Sequence, residues 1–498
     1  MRYLVQFLFI VVIASSCTVS KKFNPNKKYG PQQLQQDYTL FRNILEESHP
    51  SLYWYTSKDS VDYFFEKGKS MFKDSLTEAK FRNVLSYVIA KIRCGHTSIR
   101  PSKGATKYNQ TVRTWSFPLN LKIWKDTAVV TSTLNRRDSN VIKGVIVTAI
   151  DNRPINTIVD SFFSYLSADG YNTTHKYQTL SNGSTFANLY NSIYGLRVKY
   201  LINFIDTLGV QKTAYTNLYN PTLDTFKRGR SPWQQLSHRE RKKQIRQITR
   251  SLRIDTALQT GFMDLNTFTK GYRLRKFFRS SFKKLKDSSI QNLVIDLRGN
   301  GGGSVNNSTL LSKYIVDNPF KIADSLYAVS RGSHYGSYIQ NHFWNWLFLQ
   351  FMTHRKKDSL YHFAYFERHY FKPKKRNHFN GNVYVLSGGN TFSASTLFMH
   401  AIQGQQNVTF VGEETGGGAY GNTAWLIPDV TLPATGVRFR LPLLRLVINK
   451  DMPKTGRGIM PNVEAAPTVK DIRRNGDYKM EKTIELIKNK HALYSAAQ

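Results

Sequence analysis

Three short apolar segments in the second half of the chain each run into a cluster of glycine or hydroxyl residues. They span residues 293–295, 383–386 and 408–411, and helical patterns lie between them. Apolar runs of this length are typical of buried strands, and strands that alternate with helices favour a mostly parallel sheet covered by helices. The sequence therefore predicts an α/β core whose strand ends carry flexible turns rich in accessible backbone.

The chain of 498 residues is long enough for about three domains. Changes in pattern along the chain indicate an N-terminal helical part, a β-rich part, a basic segment and the α/β core. The predicted organisation is a signal peptide at 1–16, a tether at 17–30, a helical domain at 31–115, a PDZ-like domain at 116–220, a basic linker at 221–256, the core at 257–470 with an insertion at 305–380, and a C-terminal helix at 471–498.

The helical domain places one histidine at a helix end. A first helical repeat stops before Pro50, and a second helix is predicted to open with the capping-box pattern Ser75 to Glu78. Gly95 is placed to end that second helix. His96 then emerges just past a helix C-terminus and precedes a strand-like segment at 97–99.

The PDZ-like interpretation of 116–220 depends on one strand, turn and helix. Residues 145–150 are predicted to form a strand, 151–154 a tight turn, and the chain from Ile155 a helix. This order after a Lys-Gly pair is similar to the peptide-binding region of PDZ modules, although such units are common.

The first residues predict export. Arg2 precedes an apolar run at 3–13, which is too short to span a bilayer and has the layout of a secretory signal. The small residues at 14–16 lead directly to Cys17 and resemble the lipobox of bacterial lipoproteins, with Ala14 where leucine is usual. We expect Cys17 to be lipidated and to anchor the protein in the cell envelope, facing the periplasm or the exterior; the alternative is a plain signal peptide.

The charge balance is strongly basic, with 71 Lys and Arg against 33 Asp and Glu. Such an excess predicts attraction to polyanions, but export argues against nucleic acid as a partner. A cluster in the linker has two interpretations: a surface that contacts anionic lipid or lipopolysaccharide, or a solvated basic helix, which we favour. Its members are Lys227, Arg228, Arg230, Arg239, Arg241, Lys242, Lys243, Arg246, Arg250 and Arg253.

The insertion at 305–380 contains a run of aromatic and aliphatic residues between Phe343 and Phe351. Aromatic stripes usually pack in a core, so a buried helix is the favoured prediction. The alternative is a lid or groove wall near a site.

Candidate catalytic and binding residues follow the three core strands. Residues 296–304 offer glycine amides that can bind an oxyanion, or they form a simple turn. Residues 387–395 place hydroxyls at a helix start, where Ser393 is a nucleophile or a helix cap. The glycine-rich segment 411–421 is a surface on which a peptide could lie.

In this order, the three segments resemble the tail-specific (C-terminal-processing) serine peptidases and their relatives, which include tricorn protease and the interphotoreceptor retinoid-binding protein. The resemblance implies a crotonase/ClpP-like α/β core. It also implies Ser393 as the nucleophile, Ala394 as one oxyanion donor, and Gly302, within one residue, as the other.

The sequence departs from this family at the general base. The lysine that processing peptidases use corresponds to Gly418, and His400 lies about 10 Å along the helix from Ser393. The tricorn-like branch uses a histidine from the helical region, which implies His96 as the base, although Gly95 stands where tricorn has serine.

A carboxylate from the C-terminal segment completes the tricorn-like site. Asp451 and Glu464 are candidates, and spacing does not choose between them. Cys94 is interpreted as a lone buried thiol rather than a nucleophile.

These features predict a serine peptidase that hydrolyses extended polypeptides in the cell envelope, with Ser393 and His96 as catalytic residues and no cofactor. Because the lysine is missing, a non-catalytic binding protein on the same scaffold is the alternative. An adhesive envelope protein that acts through its basic surface is the third possibility.

Overall fold

The computed structural model of the protein describes residues 23–135, 140–223 and 236–496. The predicted signal peptide, Cys17 and the first three members of the basic cluster lie outside these ranges. Within them, no helix combines the length and the apolar character that crossing a membrane requires.

The N-terminal part is helical, as predicted. Its elements are β1 (Lys28–Tyr29), α1 (Pro31–Ser48), α2 (Lys58–Ser70), β2 (Leu76–Thr77), α3 (Glu78–Ile92), β3 (Ile99–Arg100) and α4 (Lys103–Thr111). Helix α1 ends just before His49 and Pro50, because the residue before a proline disfavours helical geometry. The apolar stripes of α1 and α3 are buried in one hydrophobic cluster.

Both predicted ends of α3 were wrong by two residues. The cap is Thr77, whose side chain accepts a hydrogen bond from the Lys80 amide, because residues 76–77 are extended and pair with β1. The helix ends at Ile92, and Arg93 adopts the left-handed conformation that was expected of Gly95.

An antiparallel sheet with three helices follows. Its elements are β4 (Leu119–Trp124), β5 (Thr127–Thr133), β6 (Ile146–Ile150), β7 (Arg153–Pro154), α5 (Ile155–Phe163), α6 (Thr174–Ser181), α7 (Thr185–Tyr194), β8 (Lys199–Ile205) and β9 (Gln211–Asn217). The strand order is β4-β5-β6-β8-β9, with β7 on β6. The predicted strand, turn and helix at 145–163 are confirmed, and Asp151 and Asn152 take positive φ in the turn.

The C-terminal half contains the remaining elements. They are α8 (His238–Thr249), β10 (Arg250–Asp255), β11 (Thr260–Leu265), α9 (Leu274–Asp287), β12 (Asn292–Asp296), α10 (Val305–Ser312), β13 (Ser325–Ala328), α11 (His342–Met352), β14 (His354–Arg355), β15 (Tyr361–His362), α12 (Ala364–Arg368), β16 (Asn382–Ser387), α13 (Ala394–Ile402), β17 (Val408–Gly412), β18 (Gly421–Ala424), β19 (Asp429–Thr431), β20 (Arg438–Arg440), β21 (Leu444–Val447), β22 (Val463–Glu464), α14 (Val469–Arg474) and α15 (Tyr478–Ala496).

The central sheet has the order β10-β11-β12-β16-β17-β22, and its neighbouring strands are parallel except for β10 and β11. The predicted mostly parallel sheet is therefore confirmed. Strands β12, β16 and β17 end at the same edge, since the carboxyl ends of parallel strands lie together. The three glycine-rich segments all begin at that edge.

The basic linker is shorter than predicted. Residues 250–255 form the edge strand β10, whose Leu252 and Ile254 pack on the core while Arg253 between them is exposed. In an edge strand that is buried on one face, apolar and polar residues alternate in this way. The charged residues are the reason that the sequence did not predict a strand here. Helix α8 buries none of its residues, which fits the favoured interpretation of a solvated basic helix.

The favoured prediction for the aromatic helix was wrong. Of the residues in α11, only Leu349 is buried, whereas Phe343, Trp344, Trp346 and Phe351 are exposed. The helix packs by one narrow face on the core, so the aromatic residues that the sequence assigned to an interior instead cover its outer face.

Candidate active site

Ser393 lies at the turn between β16 and α13 in a strained backbone conformation. Its φ of 56° and ψ of −120° are uncommon for any residue other than glycine. Three hydrogen bonds hold the turn: the Phe392 amide and the Ser395 hydroxyl donate to the Asn300 carbonyl, and the Ser395 amide donates to the Phe392 carbonyl. The surrounding structure therefore fixes the strained position of Ser393.

The loop after β12 lies directly against Ser393. A Cβ on Gly302 would sit 2.7 Å from the Ser393 Cβ and 2.9 Å from the Ala394 nitrogen. Gly302 also has a φ of +97°, so glycine is required there by both space and conformation. The structure thus brings Gly302, Ser393 and Ala394 together.

The two predicted oxyanion donors differ in their present partners. Ala394 is the first residue of α13, so its amide has no acceptor within the helix. The Gly302 amide donates to the side-chain oxygen of Asn300 at 2.9 Å. The Ala394 amide therefore has no acceptor within the helix, whereas the Gly302 amide is already hydrogen-bonded.

The glycine segment after β17 closes over the same point. A Cβ on Gly417 would collide with Thr396 and lie 3.1 Å from the Ser393 nitrogen, and the Gly417 amide donates to the Thr391 carbonyl. Gly418, at the position of the family lysine, donates its amide to Asp169. All three glycine-rich segments converge on the turn around Ser393.

His96 reaches this turn through a strand pairing between distant parts of the chain. Strand β3 pairs with β20, and the Arg440 amide donates to the Ser98 carbonyl. The His96 ring lies 4.8 Å, centroid to centroid, from the ring of Phe392, the residue before Ser393. The structure therefore brings the predicted base against the residue that precedes the predicted nucleophile.

The His96 imidazole is buried and has no hydrogen-bond partner at either ring nitrogen. Burial lowers the pKa of His96 to about 3, with smaller contributions from the charges of Arg440 and His175. The ring is therefore neutral at physiological pH. In this arrangement it forms no hydrogen bond with Ser393 or with a carboxylate.

Neither predicted carboxylate contacts His96. Asp451 is exposed, and its amide donates to the Asn449 side chain. Glu464 is exposed on the edge strand β22, opposite Gly412.

A different carboxylate, Asp169, is buried beside the His96 turn. Its two oxygens accept hydrogen bonds from the amides of Gly95 at 2.8 Å and Gly418 at 3.2 Å. Burial raises the pKa of Asp169 to about 6 even though these amides favour the charged form. Asp169 joins the His96 turn to the segment that carries the lysine in the family, and no sequence pattern around it predicted this role.

A second imidazole, also missed in the sequence, lies on the other side of Phe392. The ring of His175 is 4.9 Å from the Phe392 ring, and its Nδ1 lies 2.6 Å from the Gly389 carbonyl oxygen. Since a carbonyl only accepts, Nδ1 carries the proton and donates. Burial lowers the pKa of His175. Phe392 is thus enclosed by two imidazoles, and His175 holds the loop that leads to Ser393.

The buried lysine nearest this sheet edge is engaged elsewhere. Lys479 of α15 donates to the Ser387 carbonyl at 2.8 Å and forms an ion pair with Glu413 at 2.7 Å. Burial lowers the pKa of Lys479, while Glu413 opposes that effect. These contacts fasten the C-terminal helix to the ends of β16 and β17.

A cavity of about 1060 Å³ opens beside the turn, between the helical part and the antiparallel-sheet part. Gly95 and His175 belong to its wall, together with side chains of α3 and α7. The lining residues include Lys80 and Arg82 but no Asp or Glu. Among its described lining residues the cavity has polar and apolar side chains and no negative ones, and it is large enough for several residues of an extended peptide.

Comparisons with known proteins address the fold and the family. Residues 259–465 match the model of Peptidase family S41. The structure of mature CPAF complexed with lactacystin superimposes with a TM-score of 0.63 at 14% identity, covering 92% of this chain and 99% of that chain. A CPAF s499a mutant structure gives a TM-score of 0.63 at 12% identity, with 92% and 97% covered.

At these identities the CPAF structures show a shared fold over nearly the whole chain. No curated protein sequence matches the chain significantly. The match over residues 259–465 supports a serine peptidase, and the CPAF structures show that the fold is shared.

Proposed function

We propose that the protein is a cell-envelope serine peptidase in which Ser393 attacks the scissile carbonyl and His96 is the general base. The observation that carries the proposal is the strained φ of Ser393 at a helix start, with Gly302 against its Cβ. Strain of this kind costs about 1–3 kcal/mol and persists where function requires it.

Ser393 and His96 share the proton transfers. As the Ser393 oxygen bonds to the substrate carbonyl carbon, its proton passes to His96, and His96 then gives that proton to the leaving amine. Water hydrolyses the resulting acyl-enzyme by the same route in reverse. The neutral state of the buried imidazole suits the first step, which requires an unprotonated nitrogen.

The oxyanion is held by the Ala394 amide and by an amide of the loop at Gly302, within one residue. Each such donor contributes about 3 kcal/mol to transition-state stabilisation. Because the Gly302 amide donates to Asn300, it must exchange that acceptor for the oxyanion, or a neighbouring glycine amide serves instead.

The substrate is an extended polypeptide that lies in the cavity beside Gly95 and His175. The antiparallel part at 116–220 acts as a PDZ-like domain that binds substrate near its C-terminus. The sheet and helices around Ser393 form a crotonase/ClpP-like core. The orienting carboxylate is left between Asp451 and Glu464, which would have to approach His96.

The envelope location rests on the N-terminal pattern, with Cys17 as the lipid anchor and the basic segment around α8 as a contact for anionic lipid or lipopolysaccharide. Mass spectrometry of the N-terminal peptide of membrane-extracted protein tests the anchor. We expect an acylated peptide that begins at Cys17; an unmodified N-terminus elsewhere contradicts it.

The nucleophile is tested by labelling with a serine-reactive fluorophosphonate. The wild type and Ser70→Ala should be labelled, because Ser70 is exposed at the end of α2, and Ser393→Ala should not. Peptide mapping should locate the adduct on Ser393. Persistent labelling of Ser393→Ala would contradict the assignment.

A non-catalytic binding protein is the second candidate, because both His96 nitrogens lack partners and the Gly302 amide is occupied. Hydrolysis of denatured casein separates the two. The peptidase cleaves it with wild-type Ser393 and not with Ser393→Ala, whereas a binding protein cleaves with neither.

A further inference from the structure

Helix α11 presents large apolar side chains to solvent. Phe343, Trp344 and Phe351 are 59%, 67% and 74% exposed, and Leu349 alone in the helix is buried. The rings of Phe343 and Trp344 lie 5.4 Å apart, and Trp346 lies 6.1 Å from Phe343, so the rings form one continuous cluster. Contiguous apolar patches on soluble proteins mark interaction sites.

The basic residues that follow α11 favour an anionic partner. Residues 325–357 contain no Asp or Glu, and the helix is followed by Arg355, Lys356 and Lys357. All three side chains are exposed, and Lys356 forms an ion pair with Glu367. Tryptophan beside an apolar face, with lysine and arginine at its border, is the pattern of helices that lie in a membrane interface.

A series of contacts connects Phe23, the first described residue, with the start of α11. Phe23 packs on Tyr108 and against Gly104 of α4. In the same helix Thr106 accepts a hydrogen bond from Arg438, which forms an ion pair with Asp429 at 2.9 Å.

The Asp429 carbonyl in turn accepts from the amide of Gln340, two residues before α11. One arginine and one strand residue therefore connect the helix that holds Phe23 with the loop that begins α11.

The segment between the proposed anchor and α4 is short. Five residues separate Cys17 from Phe23, and the six steps between the two Cα atoms span at most about 20 Å when extended. A bilayer that holds an acylated Cys17 is therefore close to α4, and residues 79–125, which include α4, also contain no Asp or Glu. The surface at and after α4 is also basic and aromatic, with exposed Lys103, Lys107 and Trp115.

We infer that α11 inserts its aromatic face into the interface of an anionic bilayer, with the lysine and arginine residues that follow it on the lipid headgroups. This second contact would complement the lipid anchor, because a single acyl chain holds a protein only weakly and stable attachment requires a second signal. The inference rests on the proposed envelope location and not on the peptidase chemistry.

Vesicle co-sedimentation tests the inference. The chain is produced from Thr18, which removes the leader and acylation but keeps every described residue. Vesicles of phosphatidylcholine with phosphatidylglycerol should bind the wild type. The variant Trp344→Ser with Phe351→Ser should bind about tenfold or more weakly, because its apolar contact is lost.

A matched control replaces exposed apolar residues elsewhere. Leu208 and Tyr215 of the antiparallel-sheet part are 85% and 60% exposed, and Leu208→Ser with Tyr215→Ser should bind like the wild type. Arg355→Glu with Lys357→Glu should weaken binding only when phosphatidylglycerol is present, and added salt should have the same effect.

Unchanged binding of the Trp344→Ser, Phe351→Ser variant would overturn the inference. If that variant instead changes the sedimentation coefficient from a dimer to a monomer, the occupant is a second copy of the chain. If it changes only the KM for casein, the helix borders the substrate. Ser393→Ala should bind vesicles like the wild type, so failure of the peptidase proposal and failure of this inference give different results.

Discussion

The turn around Ser393 and the turn around His96 meet at Phe392 but are built in opposite ways. The Ser393 turn is held by hydrogen bonds to Asn300, and its strain is supported on every side. The His96 ring is buried with two unpartnered nitrogens, which is costly for a polar group. The proposed nucleophile is therefore held in place by its surroundings, whereas the proposed base lies beside Phe392 without a hydrogen-bond partner.

This difference indicates what substrate binding has to change. A buried imidazole without partners gains most from a hydrogen bond, and the Ser393 hydroxyl is the donor that the proposed chemistry supplies. The predictions that follow test each turn in order of the expected effect.

The largest effect is expected on catalysis at His96. His96→Ala should lower kcat/KM for a peptide substrate by about 10²–10⁴, mostly through kcat, because the general base is lost. His400→Ala removes the other histidine near Ser393 in the sequence and should leave most of the activity. Equal activity of wild type and His96→Ala would assign His96 a structural role.

Gly302→Ala should break the rigid turn. The added Cβ would meet the backbone of Phe392 and Ala394 and the Cβ of Ser393, at a φ that strains alanine. We expect activity to be abolished and the free energy of unfolding to fall by about 2–4 kcal/mol.

Gly301→Ala is the control for this substitution, since a Cβ there would meet no atom within 4 Å. Denaturant unfolding measures both variants. Similar stabilities for the two would show that the loop does not press on Ser393 in solution.

The unpartnered base predicts a pH dependence of stability. The pKa of His96 is about 3 in the folded protein and near 6.5 when unfolded. Between these values the unfolded state binds more protons, so stability falls as pH decreases from about 6.5 to 3 and is unaffected above that window.

Replacing His96 with Phe removes this titration. The free energy of unfolding of His96→Phe, measured in urea, should fall less steeply than that of the wild type between pH 6.5 and 3. His49 also has a pKa of about 3 and contributes the same slope in both proteins. Parallel curves would show that His96 is not buried as described.

The smallest effect is expected at Gly95, where the two turns touch. A Cβ there would lie 2.5 Å from the end of the Phe392 ring and 3.2 Å from the Asp169 nitrogen, so a shift of the ring would relieve the closest contact. Gly95→Ala should therefore cost only about 1–2 kcal/mol in stability while displacing Phe392 from between the imidazoles. Full activity of this variant would show that the position of Phe392 is unimportant.

The core strands and the place of Ser393 at a helix start could be predicted because their signals are local. An apolar run, a glycine turn and a helix start are adjacent in sequence, and the parallel sheet brings three such turns to one edge. His96 could be placed near Ser393 only through family resemblance, since β3 and β20 are more than 300 residues apart.

Asp169 and His175 could not be predicted, because each acts through contacts with segments far away in the chain. The exposure of α11 could not be predicted from the sequence either, since aromatic composition does not distinguish a buried helix from an exposed one. The edge strand β10 was not predicted because it is buried on one face only, so its other face carries the charged residues that were interpreted as a linker.

Casein hydrolysis by purified wild type, Ser393→Ala and His96→Ala, measured side by side, tests the central claim most directly. The account predicts cleavage by the wild type, no cleavage above background by Ser393→Ala, and a rate reduced by orders of magnitude for His96→Ala. Cleavage by Ser393→Ala at the wild-type rate, or a folded wild type that cleaves nothing, would contradict it.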